Sequence, residues 1–204
     1  MIPMNGPPLP ALRVVILAAG FSRRLGQPKA LARVHGISLM RRLVLLLAPF
    51  AAAPPVLVVP PRPARYKVEL RGIQVEFAVN PARAAGMSSS VRRGIAHAGC
   101  ASAVLVMPVD SRGLRRRDIA RLVQRWRGSR RRVAVARFGT HLGAPLILPR
   151  WLFTAALRIE GDVGLRELVR RLPAEHLASV SINSAQQDID TAADLRSARR
   201  RFTL

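Results

Sequence analysis

Between Gly20 and Lys29 the chain packs two glycines, a serine, two arginines, a proline and a lysine into ten residues. Small residues let backbone N–H groups approach a ligand closely, and Arg and Lys beside them supply positive charge. The combination suits a polyphosphate. Lys29 stands out further: among 34 Lys plus Arg, the only lysines are Lys29 and Lys67. A compact, movable ammonium does different work at a phosphate from a flat guanidinium. The stretch is not a Walker P-loop, since no G-K-[ST] follows, nor a G-x-G-x-x-G dinucleotide site.

Carboxylates and hydroxyls supply the other candidate chemistry. Asp110 follows an apolar run, Ala103 to Val109. In open α/β sheets ligand groups gather at the carboxyl ends of strands, although a lone aspartate there also caps turns. The row Ser88, Ser89, Ser90 opens a helix pattern after Gly86. Such serines either cap the helix or, with its free N–H groups, bind phosphate or ribose oxygens. Asp162 precedes another helix pattern and reads equally as a cap or as a ligand-binding group. Near the C-terminus Asp188 and Asp190 precede Thr191 and Asp194, a capping-box-like helix start, so helix-dipole pairing is one account of both. One cysteine, Cys100, excludes an intramolecular disulfide, and four scattered histidines give no zinc pattern.

These groups need rigid elements to hold them. Leu12 to Ala19, interrupted only by Arg13, reads as a strand buried on both faces of a parallel sheet. A helix is expected over Ile37–Phe50 with Ser38 as cap, then a strand Val56–Val59, a brief helix within Arg62–Leu70 and a strand Ile73–Val79. The serine-led helix runs from about Ser88 to Ala98, followed by strand Ala103–Val109 and an amphipathic helix Arg115–Trp126. Strand Arg132–Phe138, a loop Gly139–Pro145, a short strand Leu146–Leu148 and helix Trp151–Ile159 come next. A helix from Asp162 to Leu172, strand Leu177–Ile182 and the final helix complete the chain. Alternation of this kind gives an α/β domain with a mostly parallel sheet covered on both faces.

The 204 residues read as one domain over 12–204, preceded by a proline-rich flexible lead at 1–11. No apolar run is long enough to cross a bilayer, and the N-terminus lacks the pattern of a signal peptide, so a soluble cytoplasmic protein with no membrane partner is expected. The formal charge of +23 raises the question of nucleic acid. Arginines are spread along the chain, with triplets at Arg115–Arg117, Arg130–Arg132 and Arg199–Arg201. Solvated helix faces and loops are the favoured reading. A positive field also raises encounter rates with anionic small molecules such as nucleotides.

The first motif resembles the signature L-A-A-G-x-S-x-R-M-G-x-x-K of nucleotidyltransferases that handle the molybdenum cofactor. It is present as Leu17, Ala18, Ala19, Gly20, Ser22, Arg24, Leu25, Gly26 and Lys29, with leucine replacing methionine. Later segments follow in the family's order: Asn80 with Gly86 and Ser88, Asp110, Gly143-Ala144-Pro145, Gly161-Asp162-Val163-Gly164-Leu165-Arg166, and Asp188-Ile189-Asp190-Thr191 with Asp194-Leu195. The resemblance implies a three-layer, Rossmann-like, nucleotide-diphospho-sugar-transferase fold with one antiparallel strand in a mixed sheet. It implies Mg²⁺ held by Asp110 and Asp190, with Asp188 the weaker candidate, and catalytic roles for Arg24, Lys29 and Asp110. Leu17 to Gly20, Ser22, Arg24, Lys29, Asn80, Gly86 and Ser88 would contact nucleotide; Gly143 and Asp162 would face the acceptor.

The family usually has Asp-x-Pro at the metal and Gly-His-Pro on the acceptor side. This chain has Asp110-Ser111-Arg112 and Gly143-Ala144-Pro145, with His141 nearby. Ala18-Ala19-Gly20 is similar to the cytidylyl branch, whereas the guanylyl branch tends to Ala-Gly-Gly. The implied reaction is CMP transfer from CTP to molybdopterin with release of pyrophosphate, and a molybdoenzyme or cofactor-carrier protein as a possible partner. GTP or another phosphorylated acceptor is the alternative within the fold. A non-catalytic, basic nucleotide- or nucleic-acid-binding protein is the alternative outside it.

Overall fold

The computed structural model of the protein describes residues 11–182, 187–188 and 191–201. The first apolar run forms β1 (Leu12–Leu17), followed by two short 3-10 turns, a small hairpin β2 (Arg33–Val34) and β3 (Ile37–Ser38), and α1 (Leu39–Leu47). The expected helix from Ile37 therefore starts two residues late. Ile37 and Ser38 pair with the strand before them, and the Ser38 hydroxyl then caps α1 by accepting the Arg41 N–H at 3.2 Å. Next come β4 (Val56–Val59), α2 (Ala64–Glu69), β5 (Glu76–Val79), α3 (Met87–Ala96) and β6 (Ala103–Pro108). A two-residue strand β7 (Ser111–Arg112) precedes α4 (Arg116–Arg127) and β8 (Val133–Phe138). The chain continues through β9 (His141–Pro149), α5 (Phe153–Leu157), α6 (Leu165–Arg170), β10 (Leu177–Ser181), β11 (Gln187–Asp188) and α7 (Ala192–Arg201).

Seven strands form the main sheet in the order β10-β8-β9-β6-β1-β4-β5. All its neighbours are parallel except β9, which runs antiparallel to both β6 and β8. The expected loop over Gly139–Pro145 is instead mostly strand. Only Gly139 and Thr140 turn the chain, and Phe138 pairs directly with His141. The register shifts where Ala136 faces Gly143 but Val135 faces Leu146. The two extra residues, Ala144 and Pro145, form a bulge, the place where a proline without an N–H is tolerated inside a sheet.

Alternating residues of the central strands feed two aliphatic layers. Val14 and Ile16 of β1 and Leu105 and Met107 of β6 join the inner faces of α1 and α4. Val15 of β1 and Val104 and Val106 of β6 pack with residues of α3, α5 and α6. Burial on both faces explains the near-continuous apolar runs of β1, β4 and β6. Helix α3 lies so close to the sheet that a Cβ on Gly94 would sit 2.3 Å from Val15 Cγ1.

Candidate active site

The phosphate-suited loop leaves β1 at the carboxyl edge of the sheet and closes on itself. Ser22 takes a left-handed conformation at φ 52°, and Gly26 at φ 70° ends the single 3-10 turn Arg23–Leu25 between them. The Ser22 hydroxyl oxygen accepts the Lys29 N–H at 2.8 Å, tying the two ends together, and its proton remains available to donate. Leu25, the leucine that replaces methionine, is buried in the core beneath, where a swap of similar volume is tolerated. Gly20 is exposed, and a Cβ built on it meets nothing within 4 Å. The backbone at that point is open to a ligand.

Asp110 reaches the same place from β6, the neighbour of β1. Val109 N donates to Leu17 O at 3.1 Å, which fixes the two strand ends side by side. Lys29 Nζ then donates to Asp110 Oδ2 at 2.8 Å, with both side chains partly shielded. The lysine that composition singled out is thus paired with the aspartate singled out by its strand end.

Two clefts meet at Asp110. One, of about 760 Å³, is lined by the signature loop (Leu17 to Arg24), Lys29, the turn Arg83 to Gly86, Ser90 and Asp162. The other, of about 670 Å³, lies toward β9 and is lined by His141 to Ala144, Phe138 and Arg166. Leu17, Met87, Pro108, Asp110 and Asp162 border both. Two reactants entering from opposite sides would meet beside the Lys29–Asp110 pair.

The remaining candidates divide. Gly86 lines the first cleft, and its φ of 90° and close approach to Gly161 require glycine: an added Cβ would sit 2.4 Å from the Gly161 carbonyl oxygen. Asp162 does not cap the helix that follows it, whose cap position is Gly164. Its Oδ1 accepts the Met87 N–H at 3.2 Å, so it caps α3 across 75 residues of sequence. Asn80 is buried away from the cleft lining. Its amide donates to the Ser89 and Ser90 hydroxyls at 2.9 and 3.1 Å, and its Oδ1 accepts the Ala82 N–H at 3.0 Å. Ser88 is also fully buried, and of the row Ser88 to Ser90 it is Ser90 that lines the cleft. Gly143 lines the acceptor-side cleft.

Asp190 lies outside the described residues. Asp188 falls in β11, whose backbone pairs with β7 so that Asp188 stands opposite Ser111, the residue after Asp110. The C-terminal acidic segment is therefore brought beside the Asp110 turn, and the box that follows is formed: Thr191 N donates to Asp194 Oδ2 at 2.8 Å and Asp194 N to Thr191 Oγ1 at 3.1 Å.

Sequence reading missed Phe21 and Arg83. Phe21 is 45% exposed at the cleft mouth, with the guanidinium of Arg83 at 4.2 Å and that of Arg23 at 5.2 Å from its ring. An aromatic in an otherwise polar loop of a chain with only 4% aromatics was the available signal. Arg83 carried none, since it sits among many arginines.

Among the described residues no group of three or more His, Cys, Asp or Glu gathers as a metal cage. The donor set still fits Mg²⁺, which keeps several waters and is bound through one or two carboxylates plus substrate phosphates. Asp110 at an open cleft supplies one such carboxylate.

A mixed α/β sheet with a phosphate-suited loop after its first strand, and a carboxylate after the strand beside it, places the chain among nucleotidyltransferase domains. Residues 14–177 match the MobA-like NTP transferase domain, and the chain belongs to that family. Nicotine blue oxidoreductase of Paenarthrobacter nicotinovorans is 29% identical over 203 residues, covering 94% of this chain and 98% of that protein. Rv0371c from Mycobacterium tuberculosis H37Rv has the same fold, at 22% identity and TM-score 0.76 over 94% of this chain and 99% of the other. That protein has also been seen in complex with manganese, a structure matching at 21% identity and TM-score 0.74 over 94% and 99% of the two chains. A CMP:2-keto-3-deoxy-manno-octonic acid synthetase in complex with CTP matches at TM-score 0.71 and 13% identity, over 93% of this chain and 97% of the other. No helix among the described residues is long and apolar enough to cross a membrane.

Proposed function

We propose that the protein transfers CMP from CTP to the phosphate of a molybdopterin-type acceptor, with a divalent metal, most suitably Mg²⁺. The observation that carries this reading is the Lys29–Asp110 pair where the two clefts meet, with the signature loop on one side. A phosphate oxygen of the acceptor, entering along Gly143 and Asp162, attacks the α-phosphorus of the triphosphate, and pyrophosphate leaves along the signature loop. The chain supplies positioning and charge, not a nucleophile. Backbone at Gly20 and the Ser22 hydroxyl hydrogen-bond phosphate oxygens; Arg24 and Lys29 offset charge on the departing pyrophosphate. Asp110, with Asp190 as second carboxylate, would hold the metal, which neutralises phosphate charge when bound.

For the base, Ala19 lines the first cleft and is nearly fully buried at 1% exposure. A methyl at this position, beneath the cleft floor, would narrow the space offered to a purine, which favours CTP. Ala19→Gly should shift the kcat/KM ratio of GTP to CTP upward, and an unchanged ratio would remove this residue from base selection. The direct assay is pyrophosphate release with CTP, Mg²⁺ and molybdopterin. CTP-specific release supports the proposal; release with GTP alone, or only with another phosphorylated acceptor, would redirect it within the fold.

A second reading rests on the Paenarthrobacter relative, whose name is that of an oxidoreductase. Fold membership does not by itself set the reaction. Under that reading the cleft holds a dye such as nicotine blue, which is reduced by a hydride donor supplied with it. Consumption of NADH or NADPH dependent on the dye, without pyrophosphate release from any triphosphate, would favour it.

A further inference from the structure

A third cavity, of about 660 Å³, shares no residue with either cleft. It lies between α4 and β10, which ends the sheet. Four arginines line it: Arg121 and Arg125 from one face of α4, Arg132 from the turn after that helix, and Arg137 from β8. Spread over 17 residues of sequence, they are gathered only by the packing of helix on strand.

Several guanidinium groups elsewhere find acceptors in the protein. Arg13 pairs with Glu76, Arg92 donates to Ile159 O at 2.7 Å, and Arg150 donates to Gly99 O at 2.8 Å. The side chains of the four groove arginines have no such partner among the described residues. Residues 115–137 contain ten arginines and a single acid, Asp118. Asp118 is buried at the start of α4, where it accepts the Arg115 backbone N–H at 3.1 Å. Four like charges held together without a counter-charge repel one another, and i,i+4 pairs such as Arg121 and Arg125 weaken a helix. An external anion would relieve this.

The rest of the lining narrows its class. Ser129, Ser179, Ser181 and the Gln124 amide add hydrogen-bond donors, and among the described residues no aromatic side chain lines the groove. Guanidinium forks with hydroxyls match phosphate oxygens. Without an aromatic platform no base is stacked, so contact would be to phosphates alone. Arg127 at the end of α4, and Arg130 and Arg131 in the turn after it, continue the charge beyond the groove, beside a helix about 18 Å long. That length suits a chain of phosphates better than a single small anion.

We propose that this groove binds the phosphodiester backbone of nucleic acid, without base selectivity. Composition alone favoured solvated faces; the fold's gathering of four unneutralised arginines on one groove changes that weight. The test compares two fourfold Arg→Gln variants with equal loss of charge. One removes Arg121, Arg125, Arg132 and Arg137. The other removes the exposed Arg71, Arg93, Arg158 and Arg196. Binding of a labelled oligothymidylate is measured across a salt series for both, with melting temperature confirming that each is folded. The groove variant is expected to bind at least tenfold more weakly, with a salt slope shallower by about three units for four lost phosphate contacts; the control should stay near wild type. Equal weakening of both variants, or no binding by the wild-type protein near physiological salt, would overturn the proposal. Tighter binding of inorganic tripolyphosphate than of the oligonucleotide would overturn it as well, reassigning the groove to a small polyphosphate.

Discussion

Asp110 and Lys29 neutralise each other across 2.8 Å, so neither is committed until a ligand arrives. In the proposed reaction a triphosphate would compete with Asp110 for the Lys29 ammonium, and a metal would compete with Lys29 for the carboxylate. Nucleotide and metal should therefore bind cooperatively. Lys29→Ala is expected to tighten Mn²⁺ binding in the absence of nucleotide, read by electron paramagnetic resonance, and to lessen the gain that CTP brings. Unchanged Mn²⁺ affinity would show that the pair is not the gate. Gly20→Ala probes the opposite wall. Its methyl meets no protein atom, so the variant should fold normally yet bind CTP more weakly, by tenfold or more if the triphosphate lies against that backbone. Lys29 and Asp110 were both legible in the sequence, one from composition and one from its strand end. Their contact was not, because it joins residues 81 apart and depends on β1 and β6 being neighbours. Asn80 and Ser88 show the opposite case. Their positions suggested a ligand; in the fold both are buried, as are Asn80's partners, and they brace the start of α3.

At the scale of elements, the site depends on how α3 meets the turn before α6. Gly161 O accepts the Ser88 N–H at 3.3 Å, Asp162 caps Met87, and Gly86 is pressed against Gly161. Gly86→Ala combines a forbidden contact with an unfavourable φ and should cost at least about 2 kcal/mol, seen as a lowered denaturation midpoint. Gly143→Ala should not: its Cβ would meet Phe138 at an ordinary 3.5 Å. A raised KM for the acceptor with unchanged stability would place the acceptor along β9. Helix α2 offers an independent check. Tyr66, the sole tyrosine, is buried there, and burial raises its phenol above the ordinary 10.0 despite the opposing charge of Arg83. The fold favours the protonated phenol. Its contribution to stability is full below about pH 10 and is lost as pH rises through the native value. Absorbance titration should give a higher midpoint in the native protein than in denaturant. The order of strands and helices was legible because runs buried on both faces carry no alternation. The boundaries around β3 and β9 were not, since a two-residue turn and a bulge are set by pairing with other strands.

For the whole molecule, a net charge of +23 surrounds a cleft whose lining carries Arg23, Arg24, Lys29 and Arg83 against Asp110 and Asp162. That field draws anionic substrates in and should make association rates fall steeply with ionic strength. The larger cleft should bind a nucleoside triphosphate together with a divalent metal. The most direct test is the melting temperature with each triphosphate, with and without Mg²⁺. Ligand at 100 times its Kd adds about 2.7 kcal/mol, which for a domain of this size is a rise of roughly 5–10 °C. Binding of CTP with Mg²⁺ predicts such a rise, and its loss in Asp110→Asn at equal intrinsic stability. No rise with any triphosphate, or an identical rise in Asp110→Asn, would contradict it.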